Sequence, residues 1–586
     1  MKKYLFLVAG SLFSATICHA QNALFLAANG SGNSFSKEAP GNINELESKL
    51  KMVNPNGGPL TIYLQQGFYF LKRPINLNNG SIGGKYSRLL IAGEPGAKPT
   101  LCGGRRITGW TLWKNGIYKA PLPPGFLTRQ LYFNGAPAIR ARYPNRNNDR
   151  DFGPYFRIRR FDKSNKTIIV DLNDAKDFSF WTNLNEIELV INQHHYQNRI
   201  RIQKITQHGN ELVITPMEPE GSELFQRDQH SLLDDGKTFY FENAPEFVDQ
   251  SNEFYDDDAT NTIYYKPASG HLSENDTMIA PDIESLFKLS GTVNSPLSNI
   301  IFSDLNLGYT TWLLPSRVGN IATVAVILEF VNRRYHIPGV IDVKYGSHIS
   351  IKNCSVFNAG GNGIVFEKAV KNSTVNGSHL YNIAADGVYF ETFTFSRNVH
   401  LPDSLRCTGD SIVNNLAENA GCNYTNGVGF IVSCVSNTLI EHNEVRYMRH
   451  SGLQVGNPFG DSDAGVRNNI IRYNNIHDVL LLHDDGGAIY TAGNQPGTAI
   501  YGNWIHHITK STWADAFPIN AVYLDAWSSY MNVHDNKFSN LSNVDLIKEN
   551  SGILTRSHDN NIINNGVINT GKLSAMPNVG PVKKQP

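Results

Sequence analysis

IEHNEV (440–445), IRYNNI (471–476), IYGNWI (500–505) and VHDNKF (533–538) are four versions of one segment. In each, an apolar residue stands three positions before an asparagine and another stands one or two positions after it. The asparagines, Asn443, Asn474, Asn503 and Asn536, recur at intervals of 31, 29 and 33 residues. A second segment alternates apolar and polar positions after a small residue: GIVFE from Gly363, GVYFE from Gly387, GLQVG from Gly452, GAIYTA from Gly487 and NAVYLDA from Asn520. Period-two alternation marks each as a short strand. Strand and turn repeating every 24 to 35 residues, with no helical periodicity, is what a parallel β-helix requires. Its coils stack at the ~4.8 Å strand spacing, so equivalent apolar side chains form interior columns. The asparagines suit tight corners, where they tolerate left-handed backbone and can ladder from coil to coil. A leucine-rich solenoid lacks its Leu consensus here, and a propeller its Trp-Asp signature. The expected fold class is all-β, a right-handed parallel β-helix.

Working outward, LTIYLQQGFYFLKRPINL (60–77) and RLLIAGEPGAKPTLCGG (88–104) also read as extended coils. From about 107 to 267 the alternating segments RQLYFNGAPAIRARYP (129–144), IELVINQ (187–193), ELVITPM (211–217) and NTIYYKP (261–267) come at irregular intervals, separated by polar turns. That pattern predicts an inserted antiparallel β domain, sandwich or barrel-like, between early coils (21–106) and the main helix (268–575), with a short tail from 576 to 586. Lys2 and Lys3, the apolar stretch 4–17 and Cys18-His19-Ala20 read as a secretory signal cut near Ala20, which predicts a periplasmic or secreted protein. Lipidation at Cys18 is the weaker reading, because Ile17 is not small.

The full chain holds 52 basic and 52 acidic residues. Removing Lys2 and Lys3 with the signal leaves 50 against 52, a net charge of about −2, without the basic excess of a nucleic-acid binder. No later stretch approaches the ~20 apolar residues of a membrane span. Five cysteines remain after the signal, Cys102, Cys354, Cys407, Cys422 and Cys434, an odd number with no zinc spacing. Cys407 and Cys422 are spaced to close a loop disulfide, and buried thiols are the alternative. No cofactor or metal is expected, and the chain is expected to act as a monomer.

The richest chemistry lies between 442 and 525: Arg446, Arg449 and His450 in RYMRHSG, His483, Asp484, Asp485 and Tyr490 in LLHDDGGAIYT, and Tyr523, Asp525 and Trp527 in NAVYLDAW. Adjacent carboxylates repel unless a cation or a shared proton offsets them, although Asp also caps turns. With Ile489 and Val522 inward, Tyr490 and Tyr523 point outward. Asp525 then shares a column with Glu367 and Glu391. Along a straight strand Asp485 and Asp525 would stand ~23 Å apart. Their pairing therefore requires the Gly486-Gly487 turn to fold Asp485 back, and otherwise Glu391 becomes the partner of Asp525. Trp312, in TTWLLPS, is a candidate stacking platform. His194 and His195 have no acidic neighbour in sequence and read as structural, and His477, His506, His507 and His534 read as corner residues.

ITGWTLWKNGIYKA and RQLYFNGAPAIRARYP in the insertion, TWLLPS beyond it, and HDDGGAIYT with AVYLDAW near the end resemble the β-helical enzymes of bacterial polysaccharide degradation, most closely glycoside hydrolase family 141. The resemblance implies a polysaccharide or oligosaccharide substrate, α-L-fucosidase or xylanase activity, and a catalytic pair made of Asp525 with Asp484 or Asp485. Glu391, His450, His483, Tyr490, Tyr523, Trp527 and Trp312 are the expected substrate-binding residues. A competing expectation is a lyase with Ca²⁺ held by Asp484, Asp485 and Asp525 and with Arg446 or Arg449 as base. The other is a glycan-binding fibre that does not cut.

Overall fold

The computed structural model describes residues 22–53, 57–148, 152–175, 177–226, 233–322, 328–330, 333–391, 401–568 and 578–582. The expected signal, 1–20, lies outside them, as does most of the expected tail. Three long sheets, of twelve, eleven and ten strands, run the length of the molecule, and every neighbouring pair in them is parallel. Successive coils contribute one strand to each sheet, which makes a parallel β-helix. The first sheet passes from Leu89–Gly93 directly to Ile300–Ser303, with Leu90 opposite Ile301, so some two hundred residues are inserted without breaking the stack.

The repeat places its apolar positions in separate interior columns. The residue three before each asparagine enters the first sheet, where Ile412, Ile440, Ile471, Ile500 and Val533 lie side by side. The residue two after it enters the second, where Val445, Ile476, Ile505 and Phe538 do the same. Ile364, Val388, Phe430, Leu453, Ile489 and Val522 fill the third. All belong to one buried core. Each fully buried aliphatic side chain contributes roughly 1.5–3 kcal/mol, so register is set by many columns at once.

Between the first two sheets Asn415, Asn443, Asn474, Asn503, Asn536 and Asn565 form a ladder, each side-chain amide donating to the oxygen of the next at 2.9–3.0 Å. The left-handed backbone expected of these asparagines lies one residue earlier, at Asn414, His442, Tyr473, Gly502, Asp535 and Asn564. The reason is geometric. A left-handed residue turns the corner and aims the next side chain inward, where an amide both donates and accepts and so satisfies the buried turn.

The antiparallel pairings of the insertion span 104–281, and its main sheet orders Arg142–Tyr143, Thr238–Glu242, Glu188–Asn192, Gln197–His208, Glu211–Pro216, Thr167–Asp171 and Arg160–Asp162. Trp312, Ala384, Ala385 and Tyr424 from the main helix share the insertion's own core. Asn320–Ile321 also pairs with its long strand, so the insertion is docked onto the turns joining the second sheet to the third.

The five cysteines form no disulfide. Cys407 is buried with its thiol on the Glu391 carbonyl, and Cys422 faces the Asn423 side chain, so of the two readings the unbridged thiols are the one found.

Candidate active site

Strands Gly486–Ala492 and Ile519–Leu524 are neighbours in the third sheet, with Tyr490 opposite Tyr523. Because Ile489 and Val522 fill the core, both tyrosines project outward. Their rings meet edge to face at 5.7 Å, with Phe459 packed beside them. The Tyr490 hydroxyl donates to Asp525 Oδ2 at 2.6 Å, and Asn550, one coil on, donates to Asp525 Oδ1 at 2.6 Å. Burial and then the Asp525 charge push the Tyr490 pKa well up, so it stays a protonated donor. The charge of Asp485 raises the pKa of both Tyr490 and Tyr523 as well. Asp485 precedes the tyrosine pair along the strand and Asp525 follows it, with the Tyr490 hydroxyl bonded to Asp525.

The Gly486-Gly487 turn on which the pairing of Asp485 with Asp525 depends is not formed: both glycines pair within the strand, and the left-handed residue is Asp485 itself, with φ 52°. Gly486 and Gly487 lie within the strand and are needed for space. A Cβ on Gly486 would stand 3.0 Å from His450 Nε2, and one on Gly487 would stand 3.0 Å from the Tyr523 backbone nitrogen. Glu391 is not the partner of Asp525. Its column runs through Ser433, Gly456 and Ala492, four strand spacings or ~19 Å from the Asp525 level.

Folding brings up residues from the insertion that nothing nearby in sequence announces. His195 Nδ1 lies 3.2 Å from Asp485 Oδ2, and His194 Nδ1 lies 3.0 Å from Asp515 and 3.7 Å from Asp484. Lys237 donates to Asp515 at 2.8 Å. Burial opposes the Asp515 charge, yet His194 and Lys237 outweigh it and bring the pKa to about 2. Both histidines thus have acidic partners, some three hundred residues away in sequence.

Several expected contacts do not reach the surface. Asp484 is fully buried, accepts from Phe517 N at 3.0 Å and lies 3.4 Å from Lys510. A Ca²⁺ cage of Asp484, Asp485 and Asp525 is therefore not formed, and among the described residues no cluster of three His, Cys, Asp or Glu is placed to hold a metal. Arg446 is tied to Glu418 and Glu444, a poor base for a lyase. Trp312 is 1% exposed and packs edge-on against Tyr424, so it offers no sugar platform. His450 is buried beneath Gly486, and Glu391 is buried as well. Trp527 remains partly exposed just beyond Asp525.

His483, also buried, clamps the insertion instead of facing a ligand. Its Nδ1–H donates to the Gln193 carbonyl at 3.0 Å and its Nε2 accepts from Thr425 at 2.7 Å. Burial lowers its pKa from 6.5 to about 4. A lowered folded pKa gives stability that is complete above pH 6.5 and is lost as pH falls toward 4. Stability is expected to fall across that window by roughly 3 kcal/mol from this one group, and the melting midpoint with it. In His483→Gln scanning calorimetry should show a lower but flatter pH profile, and an unchanged slope would refute the assignment.

Residues 124–268 match the model of the GH141 insertion domain. A solved structure titled "Glycoside hydrolase" superposes with a TM-score of 0.82 at 22% identity, covering 95% of this chain and 98% of that one. XylC in complex with xylose gives 0.46 at 11% identity, over 88% and 75%. No curated protein matches the sequence. The chain therefore carries a GH141 insertion domain on a β-helical scaffold shared end to end with a known structure.

Proposed function

We propose that this GH141-like chain is an exported glycoside hydrolase, periplasmic or secreted, which cleaves a complex plant-type polysaccharide or its oligosaccharides with Asp485 and Asp525. α-L-Fucosides of pectic chains and xylan are the first substrates to try. What supports the reading is the placement of Asp485 before, and Asp525 after, the paired Tyr490 and Tyr523 on neighbouring strands of one sheet, with Asp525 bonded to Tyr490. Hydrolysis requires one carboxyl group to protonate the leaving oxygen and a second to act as base or nucleophile. His195 orients the first carboxylate, and Tyr490 with Asn550 fix the second. Phe459 packs against the same outer face and can shield a sugar from bulk water, and Trp527 is partly exposed two residues beyond Asp525.

The test is incubation with fucosylated pectic, xylan and galacturonan oligosaccharides, following reducing ends and ultraviolet absorbance together. New reducing ends without absorbance support hydrolysis. Unsaturated, absorbing products would establish a lyase instead.

A further inference from the structure

On the other side of the 481–485 segment, a cavity of about 540 Å³ opens between the insertion and the helix turns. Its wall holds five arginines, Arg140, Arg142, Arg146, Arg199 and Arg449, against one carboxylate, Glu242. Behind them Glu188 binds Arg129, Arg140 and Arg199, and Glu242 binds Arg140 and Arg199. Three guanidinium groups thus share two carboxylates. Arg142 adds a further charge while donating to the carbonyls of Pro144, Phe152 and Pro154. Burial raises the pKa of Asp256 and Asp258, the other acids whose charge Arg140 meets, which weakens their hold on it. The Nε atoms of Arg140 and Arg199 are buried without an acceptor.

Five guanidinium groups against one carboxylate give a solvent-open cavity a positive potential that favours an anionic ligand. The remaining walls suit a sugar. Gln197, Asn382 and Asn419 present amides, and Tyr155 and Tyr240 present ring faces already stacked under Arg142 at 5.3 and 3.9 Å. The volume lies within the range of small-ligand sites. With Glu242 held between two arginines and no second carboxylate in the lining, the cavity lacks a hydrolytic pair of its own. It adjoins the proposed one. Leu481 lines it, Thr425 in its wall bonds His483, and Asp485 is four residues, at most ~14 Å, beyond Leu481.

We propose that this pocket binds the carboxylate of a uronic acid residue, an acidic-sugar subsite beside the hydrolytic centre. It rests on the reading that the substrate is a polysaccharide. A planar carboxylate accepts two parallel bonds from a guanidinium, which a neutral or esterified sugar cannot match.

The experiment uses the full chain carrying Asp525→Asn, so that ligand survives, and titrates trigalacturonate and its methyl ester by calorimetry. The acid should bind about tenfold or more tighter than the ester, with the preference fading as ionic strength rises. Arg142→Gln and Arg146→Gln should each reduce that preference. Should Arg142→Gln lower the melting midpoint sharply, Arg146→Gln, at the half-exposed rim, carries the test alone. Equal binding of acid and ester, no binding of either, or a preference unchanged in the variants would overturn the proposal. Acid-selective binding in a wild-type chain that hydrolyses no glycoside would instead sink only the hydrolase reading, and turnover without acid selectivity only this one.

Discussion

Asp525→Asn is expected to cut turnover about a thousandfold or more while the chain keeps its fold and its substrate. The amide cannot act as acid, base or nucleophile, and removing a positioned proton-transfer group costs roughly 10²–10⁴ in rate. Stability should change by no more than about 1–2 kcal/mol, because the amide oxygen still accepts from one of Tyr490 and Asn550. Asp485→Asn is expected to behave in the same way. Asp484→Asn provides the contrast. Its carboxylate faces Lys510, His194 and the Phe517 amide, so the variant should melt earlier yet retain turnover within about tenfold once folded. Rates and melting midpoints measured on all three variants decide the matter, and equal loss of turnover in Asp484→Asn would reverse the choice between the adjacent acids.

Glu188→Gln should produce the largest loss of stability. Glu188 is 2% exposed and meets Arg129 at 2.6 Å, Arg140 at 2.9 Å and Arg199 at 3.2 Å. Burial favours its protonation, but the arginines outweigh that and hold its pKa well below the carboxylate range. Removing the shared anion leaves three buried cations with Glu242 alone, and stranding a buried charge costs about 3–5 kcal/mol. Because the insertion's core includes Trp312 and Tyr424 of the main helix, the damage should spread to the docking surface. Limited proteolysis should then cut first within 104–281, ahead of the coils. A variant as resistant as the wild type would show that the cluster contributes little to holding the domain.

The coils were readable because their constraint is local and repeated. Ile440, Ile471, Ile500 and Val533 must all enter one core at a fixed offset from an asparagine, and a one-residue slip would bury polar side chains in every coil at once. The same periodicity set Tyr490, Tyr523 and Asp525 outward. It could not say which residue turns the corner, since φ near 55° at His442 or Tyr473 has no signature as clear as glycine. Nor could it show Trp312 buried, because a surface platform and a core aromatic have the same composition.

By itself the sequence determined the β-helix, the presence of an inserted domain and the strands bearing the acids, all consequences of hydrophobic periodicity along the chain. Only the tertiary structure decided that Asp484 is buried while Asp485 meets His195, that His195 and Lys237 arrive from the insertion, and that five arginines line one cavity. Those outcomes depend on contacts between segments some hundreds of residues apart, made by docking the insertion onto helix turns, and no spacing within either segment encodes them.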